Sequence, residues 1–361
     1  MTEEQIMVRL RSDCLSLELD NQGMIRSIFD RKGKQEYLVD SSPTPLLRLG
    51  VSGRLVGPSR CSYDDSSSEI ILSFENSQDA HVAVHAHDTH VSFTLTALTG
   101  GSVSHVLWGG FTTAITDTIG ETIGVVRNRD FAFGIQSLNV HTIGGRPEEF
   151  PGPGKATDTG TSTGNVSEVR AFSSHRDGGL LNSSIALFGC PASKALETIG
   201  QIEVEEGLPH PILDGEWSKT GPGARGSYLI TSFGEDTIDV AVRFAQMAGF
   251  SYLYHEDPFQ NWGHFDLRSS DFPSGDPGLA ACVRRAEETA MRIGIHTLSN
   301  FITTNDKYVA PVPDARLMKS GQSTLVDSVF ADSMELVVDD PDAFEDRGAL
   351  ASVSIGDELI R

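Results

Sequence analysis

Residues 234 to 309 alternate twice between a helical pattern and a short apolar strand. An apolar stripe at helical spacing begins at Ile238, and Gly249 is placed to end that helix. A strand is predicted over 250–254, and a second helical pattern leads to a strand predicted over 295–301. This order predicts parallel βαβ units, because the connection between neighbouring parallel strands is usually a helix.

The residues beyond these two strands carry the chemistry that an enzyme site needs. His255, Glu256 and Asp257 lie past the first strand, and Asp306 and Lys307 follow the second. In a β/α barrel the loops after the strands meet at one face, and active sites lie there. The pattern therefore predicts the opening of an enzyme barrel, with these side chains at its functional end.

The first 233 residues have a different pattern, in which short alternating runs recur between turn signals. LSLELD, EIILSF and HVSFTLTAL are examples, and no convincing amphipathic helix interrupts them. A polar turn at Asn21 to Gly23, the strand MIRSIFD and a basic turn around Gly33 indicate successive hairpins. We expect a large two-sheet sandwich here, since the strands are too many for a seven-strand module.

A longer ordered set of residues runs through the alternating segment. It comprises Ala245 to Phe250, Glu256 with Asp257, Trp262, Phe272 to Gly275, and Gly294 with Ile295. This set resembles the first βα units of retaining α-glycosidases of the alpha-galactosidase type and their relatives. Those families place a galactose-mutarotase-like supersandwich before a (β/α)8 barrel, and the N-terminal hairpin pattern is similar to the start of such a sandwich. The resemblance implies an α+β multidomain fold with both parts.

The resemblance also implies roles for residues after the first strand. Glu256 and Asp257 would hydrogen-bond sugar hydroxyls, and Trp262 would shape the sugar pocket. The residue types suit this, because carboxylates accept hydroxyl hydrogen bonds and indole offers an apolar face to the C–H groups of a sugar. Further substrate-binding candidates lie in the same loops or alternate along the second strand: His255, His264, His296, Asn300, Asp306 and Lys307. The insertion PFQNWGHF departs from the family's pattern.

We predict three segments: a galactose-mutarotase-like β-sandwich over 1–233, the first βα units of a barrel over 234–314, and a small β-rich insertion or an incomplete segment over 315–361. In the resembling families the nucleophile comes from the fourth barrel strand and the acid/base from a later one. Retaining hydrolysis needs both carboxyl groups, about 5 Å apart. We therefore expect an incomplete barrel without these two groups, in a chain that is the N-terminal part of a longer protein.

These features favour a glycoside hydrolase-like protein that binds an oligo- or polysaccharide at the barrel strand ends. In a longer form it is expected to hydrolyse O-glycosyl bonds. A non-catalytic carbohydrate-binding protein is one alternative. A polysaccharide lyase is another, since supersandwich domains also accompany lyases and a histidine with a tyrosine can abstract a proton from a uronate. The sequence has no obvious Arg/Lys cluster for a polyuronate, which disfavours the lyase.

Charge and hydropathy exclude other classes of function. Asp and Glu outnumber Lys and Arg, 50 to 28, and the formal net charge is -22. This charge disfavours nucleic acids and anionic membranes as partners. The chain has no apolar stretch of roughly 18 residues, and its first residues lack the apolar region of a signal peptide. As given, the protein is expected to be soluble and cytoplasmic.

The sequence predicts neither a cofactor nor a metal. The cysteines lie far apart without a CxxC pair, which indicates buried free thiols rather than a zinc site: Cys14, Cys61, Cys190 and Cys282. Histidines also cluster in one strand region: His81, His85, His87 and His90. We interpret them as ordinary strand histidines, because no acidic residue or cysteine completes a ligand set convincingly.

Overall fold

The computed structural model describes most of the chain: residues 6–39, 44–75, 77–120, 124–144, 160–163, 166–174, 179–298, 301–317, 319, 321–330, 332–341, 353–355 and 358–360. Contacts divide the chain into two compact units, Met1–Thr220 and Gly221–Arg361. Each unit has a hydrophobic core of its own.

Antiparallel β-strands make up most of the first unit. The strands are β1 (Ile6–Arg11), β2 (Leu15–Asp20), β3 (Met24–Asp30), β4 (Gln35–Glu36), β5 (Thr44–Pro45), β6 (Leu47–Val51), β7 (Arg54–Val56), β8 (Arg60–Asp64), β9 (Glu69–Ser73), β10 (Asp79–Ala86), β11 (His90–Thr99), β12 (His105–Thr113), β13 (Thr118–Gly120), β14 (Gly124–Arg127), β15 (Phe131–Ser137), β16 (Ile143–Gly144), β17 (Gly160–Thr163), β18 (Val166–Ser174), β19 (Ser184–Pro191), β20 (Ile212–Leu213) and β21 (Glu216–Trp217).

These strands form three main sheets. The first joins β1, β2, β3 and β4 in order, with β5 beside β3. The second has the order β13-β14-β15-β19-β11-β10-β9-β8, and the third has the order β16-β18-β12-β6-β7 with β17 beside β18. All three sheets contribute to one core, in which Leu17 of β2, Phe93 of β11 and Trp108 of β12 are fully buried. This mostly-sheet architecture is consistent with the predicted sandwich.

The alternation in the sequence corresponds to alternating burial in the strands. Along β10, Ala80, Val82 and Val84 are buried, whereas the residues between them are only half-buried. Successive side chains of a strand point to opposite faces, so one face of β10 packs on the core. Each fully buried valine or leucine contributes about 1.5–3 kcal/mol relative to an exposed one, which makes this face the stabilising one.

A helix in the first unit was missed by the sequence prediction. α1 (Ala195–Glu205) follows a 3-10 turn (Ala192–Lys194) and buries Ile199 and Ile202 beside Phe188 of β19. Its apolar residues do recur at helical spacing, but the stripe is short and Gly200 interrupts it. The prediction of no amphipathic helix before residue 233 is therefore wrong.

Acidic residues of this helix contact the histidines that the sequence analysis left unpartnered. His87 and His90 lie at the turn between β10 and β11, and their rings stack with centroids 4.3 Å apart. Glu205 ends α1 and Glu206 follows it, and both carboxylates reach the turn. The expectation that no acidic residue joins these histidines is wrong, because the partners lie more than a hundred residues away in sequence.

The second unit begins with alternating strands and helices. The elements are β22 (Tyr228–Ile230), a strand that the sequence analysis did not predict, then α2 (Ile238–Met247), β23 (Tyr252–His255), α3 (Asp276–Glu287) and β24 (Arg292–Ile295). The three strands are parallel in the order β22-β23-β24. Because β22 pairs with β23, the division between the units falls before it, earlier than the predicted boundary after residue 233. That these units are the start of an incomplete (β/α)8 barrel remains a prediction.

The second predicted strand lies earlier in the chain than expected. α3 ends at Glu287, and Ala290 adopts a positive φ of 59°, the backbone conformation that glycine usually supplies after a helix. Met291 N then donates to Ala286 O, and β24 begins at Arg292. The strand therefore includes Gly294 and ends at Ile295, and His296 is the first residue beyond it.

Helices α2 and α3 pack on the strands through a small apolar core. Its fully or nearly buried members are Phe233, Ile238, Val242, Ala245, Leu253, Phe272, Cys282, Ala286 and Met291. In the described part of residues 315–361, Leu325 and Val338 form an isolated bridge, and β25 (Val353–Ile355) pairs antiparallel with β26 (Glu358–Ile360). No helix among the described residues combines the length and the apolar character that a bilayer crossing requires.

Candidate functional site

Two loops meet at the carboxyl end of the parallel sheet of the second unit. The loop after β23 and the segment after β24 are joined by two hydrogen bonds: Trp262 N donates to the side-chain oxygen Thr303 Oγ1 at 2.9 Å, and Thr303 N donates to the main-chain oxygen of Trp262 at 3.0 Å. Asn305 Nδ2 donates to Gln260 O at 2.9 Å. Both loops leave the same edge because β23 and β24 are parallel, as the sequence predicted.

Asp306 is the buried polar centre of these loops. Its carboxylate accepts hydrogen bonds from His264 N at 2.7 Å, from His264 Nδ1 at 2.8 Å and from Tyr308 N at 2.9 Å. Burial alone would raise the pKa of Asp306, but these donors outweigh it and lower the pKa below its ordinary value. Asp306 therefore remains ionised and holds the two loops together rather than facing a ligand.

An aromatic and polar cluster lies beside this network. The ring of Trp262 contacts those of His296 and Phe301, with centroids 5.3 and 5.6 Å apart. Tyr254 Oη lies 2.5 Å from His296 Nδ1, and this hydrogen bond orients the imidazole. Trp262 and His296 are half-buried, so each keeps part of its surface for a ligand. Two of the predicted binding residues are thus in contact.

His255 is buried at the end of β23 and makes only internal bonds. Nε2 donates to Phe233 O at 3.1 Å, and Asp257 N donates to Nδ1 at 3.3 Å, which selects the neutral ring with its hydrogen on Nε2. Burial lowers the pKa of His255, and the bond to Phe233 and nearby carboxylates offset this only in part. The ring orients the start of the loop, a role different from the predicted contact with substrate.

The remaining predicted residues differ in their availability. Glu256 is exposed, and no described residue donates to its carboxylate. Asp257 pairs with Arg268, and Lys307 pairs with Asp266 at 3.5 Å, all at exposed or half-exposed positions where such pairs contribute little. His264 stacks on Tyr308, with centroids 4.3 Å apart. Asn300 lies outside the described residues.

Some residues of the cluster were not among the predicted binding residues. Tyr254 joins through its hydroxyl, Phe301 through its ring and Thr303 through its hydrogen bonds with Trp262. The alternation of β23 puts Tyr252 and Tyr254 on the face opposite Leu253 and His255, which was the available signal for Tyr254. Nothing in the spacing predicted Thr303, whose role depends on a partner 41 residues away.

The arrangement suits recognition of a polar ligand that has an apolar face. Indole can stack on such a face and donate a hydrogen bond, while Glu256 and His296 can exchange hydrogen bonds with hydroxyl groups. Among the described residues of these two loops, no group of three His, Cys, Asp or Glu side chains has metal-binding spacing. The site is therefore described by its aromatic, imidazole and carboxylate groups.

Solved structures that match part of this chain include glycosidases. The chain matches the alpha-galactosidase from Lactobacillus brevis at 8% identity and a TM-score of 0.40, over 83% of this chain and 56% of that one. It matches the alpha-N-acetylgalactosaminidase NagBb from Bifidobacterium bifidum, in its Gal-NHAc-DNJ complex, at 10% identity and a TM-score of 0.45, over 81% of this chain and 58% of that one. A putative aldose 1-epimerase from Escherichia coli K12 matches at 9% identity and a TM-score of 0.28, over 52% and 99%.

These proteins are of the type that the sequence resembles. The chain spans a little more than half the length of the two glycosidases. No protein-family model and no curated protein sequence matches it.

Replacing Gly263 tests the packing around Asp306. Gly263 has a φ of 129°, and a Cβ there would lie 2.6 Å from the Asp306 Cγ atom. We expect Gly263→Ala to lower the free energy of unfolding by about 3 kcal/mol, since backbone strain adds to displacement of the carboxylate. The matched control is Gly249→Ala, also at positive φ but with open space around it, which should cost about 1 kcal/mol. Equal losses in urea denaturation would contradict this packing.

His255 predicts a pH dependence of stability. Its folded-state pKa is lower than the unfolded value of about 6.5, so its contribution is present above that pH and is lost as the pH falls below it. His255→Gln retains a donor and an acceptor but does not titrate. The wild type should exceed this variant in stability by more at pH 7.5 than at pH 5.5 in denaturant titrations. If the difference in unfolding free energy between the wild type and His255→Gln does not change with pH, the assignment of a neutral, internally bonded ring is wrong.

Proposed function

We propose that this chain is a carbohydrate-active, glycoside hydrolase-like protein that binds glycan at the carboxyl ends of β23 and β24. The observation that carries the proposal is the position of Trp262, whose main-chain N and O both hydrogen-bond to Thr303 and whose ring is flanked by His296. A half-buried indole that is rigidly held offers a prepared surface. Such preorganisation favours binding, because less side-chain freedom is lost when the ligand arrives.

The polar groups around Trp262 support a sugar as the ligand. A sugar ring has one face of C–H groups and a rim of hydroxyls, and it needs stacking and hydrogen bonds together. Trp262 supplies the first, and the His296 ring, oriented by Tyr254, supplies a polar edge beside it. Glu256 is the carboxylate of these loops that no described side chain or amide occupies, so it remains available to hydroxyl groups.

The pairing of the acidic residues in these two loops favours ligand binding over bond cleavage. Retaining hydrolysis needs two carboxyl groups about 5 Å apart, one as nucleophile and one as acid/base. Asp257 pairs with Arg268, Asp266 with Asn261 and Lys307, and Asp306 is buried in its own network. Of the four acidic residues Glu256, Asp257, Asp266 and Asp306, only Glu256 has a carboxylate without such a partner among the described residues. Hydrolysis of O-glycosyl bonds would therefore require carboxyl groups from outside these loops.

A polysaccharide lyase is the second candidate, favoured by the pair Tyr254 and His296. A hydroxyl 2.5 Å from an imidazole nitrogen is the arrangement that passes a proton in general acid–base catalysis. A uronate substrate would also need cations to bind its carboxylate. The nearest described candidates, Arg268 and Lys307, are each paired with an aspartate, which places this candidate second.

Removing the indole tests glycan binding. Trp262→Ala should weaken binding of galactosides at least tenfold, equivalent to roughly 1.4 kcal/mol, because the stacking surface is lost. Titration calorimetry with N-acetylgalactosamine, methyl α-galactoside and stachyose measures this, and Trp262→Phe should retain part of the affinity. Trp217→Ala, in the first unit, is the matched control.

Three outcomes of that titration decide between the candidates. Unchanged affinity in Trp262→Ala, or a wild-type chain that binds none of the sugars, would overturn the proposal. Binding of oligouronates in preference to galactosides would favour the lyase instead.

An activity assay tests the separation of binding from cleavage. The 361-residue chain should not hydrolyse nitrophenyl α-galactoside above the uncatalysed rate, since none of the described hydrogen bonds or ion pairs of the two loops brings Glu256 together with a second carboxyl group. Release of nitrophenol is followed by absorbance, with Glu256→Gln as the comparison. If the wild type hydrolyses the substrate and Glu256→Gln does not, a second carboxyl group must complete the site. The assignment of these loops to binding alone would then be wrong.

A further inference from the structure

A second cluster of titratable side chains lies in the first unit, where the β10–β11 turn meets the end of α1. His87 and His90 come from the turn, and Glu205 and Glu206 come from the last residue of the helix and the one after it. In the sequence, Glu206 lies 116 residues after His90. None of these residues belongs to the glycan site proposed for the second unit.

The possible ligand atoms lie at short distances from one another. His90 Nε2 lies 2.7 Å and His87 Nε2 lies 3.3 Å from the same oxygen, Glu206 Oε1. On the other side of the ring, His90 Nδ1 lies 3.6 Å from Glu205 Oε2. Ligand atoms of His87, His90 and Glu205 all fall within 4.8 Å of one another. His87, His90 and Glu206 therefore converge on the Nε2 side of the His90 ring, while Glu205 lies on its Nδ1 side.

These distances are close to those of a tetrahedral metal site. Zinc binds imidazole nitrogen and carboxylate oxygen at about 2.0–2.2 Å, which separates neighbouring tetrahedral ligands by about 3.3 Å. The rings of His87 and His90 are now almost parallel, with 10° between their planes, so one ring must turn for both lone pairs to converge. His90 is completely buried, whereas His87 is one-third exposed on the turn and has room to rotate.

Electrostatics at this position also favours a cation. Two carboxylates lie side by side at the C-terminal end of α1, where the helix dipole adds negative potential. Among the described residues, no lysine or arginine forms an ion pair with Glu205 or Glu206, and their partners are the two histidines and Thr89. A divalent ion carries enough charge to compensate both carboxylates, whereas one protonated imidazole carries a single positive charge.

We propose that His87, His90 and Glu206, with Glu205 as a fourth ligand that swings to the Nε2 side of His90, form a structural site for a divalent transition metal, with Zn²⁺ as the best match. Two nitrogens and two carboxylate oxygens suit zinc, whereas Ca²⁺ and Mg²⁺ prefer sites made of oxygen alone. The ion would join the β10–β11 turn to the end of α1. His90 and Glu206 are already placed for this, and closure requires the ring of His87 and the exposed side chain of Glu205 to adjust.

Metal titration of the full chain tests the proposal. Apo protein, prepared with a chelator, should bind one Zn²⁺ per chain in titration calorimetry at pH 7.5, and bound Zn²⁺ should raise the melting temperature. His87→Ala and Glu206→Gln should each weaken binding at least tenfold. Both positions are partly exposed, so both variants are expected to fold. His85→Ala, an exposed histidine of the same hairpin, is the matched control and should bind like the wild type.

Cobalt supplies a readout of geometry that does not depend on stability. Co²⁺ bound to the wild type should give the intense visible absorption of tetrahedral coordination, and Zn²⁺ should displace it. The bands should vanish in His87→Ala and persist in His85→Ala. Absence of saturable Zn²⁺ binding by the wild type would overturn the site. The site would also be overturned if His87→Ala and Glu206→Gln bound Zn²⁺ as tightly as the wild type, or if His85→Ala lost binding.

Discussion

The parallel pairing of β22, β23 and β24 is the constraint on which the candidate site depends. Parallel neighbours cannot be joined by a tight turn, so α2 and α3 must cross back over the sheet, and their apolar faces supply the core that covers it. The strands then end at one edge, and the chain leaves that edge each time with polar and aromatic residues. Side chains about forty residues apart, such as His264 and Asp306, meet for this reason.

Asp306 turns this proximity into a defined geometry. A buried carboxylate must be satisfied by donors, and three N–H groups aim at it, two of them from His264. The close approach of Gly263 to the carboxylate leaves no space for a side chain. Because the loop after β23 is held in this way, Trp262 is presented in a fixed orientation beside His296. Binding and loop stability are therefore linked, and the residue that organises the site need not touch the ligand.

The histidines of this protein have different roles. Their burial and their hydrogen-bond partners explain the differences. His255 has backbone groups at both nitrogens, which leaves it no free atom for a ligand. His296 is held at one nitrogen by Tyr254 and stays half-buried beside an indole. His87 and His90 face carboxylates at the end of α1, and this combination of imidazole and carboxylate groups suits a metal ion. The residue type predicts the possible chemistry, while the partners select which chemistry is available.

Local periodicity was enough to predict the alternation of helices and strands after residue 234, the strand-rich first unit, and the polar residues at the strand ends. Which of those polar residues a ligand can reach depends on packing, and the sequence pattern did not predict it. Burial removed His255 and Asp306 from direct contact and left Glu256, Trp262 and His296 accessible. The packing of α1 near the β10–β11 turn also placed Glu205 and Glu206 against His87 and His90. Contacts across a hundred residues follow from packing, and local patterns do not encode them.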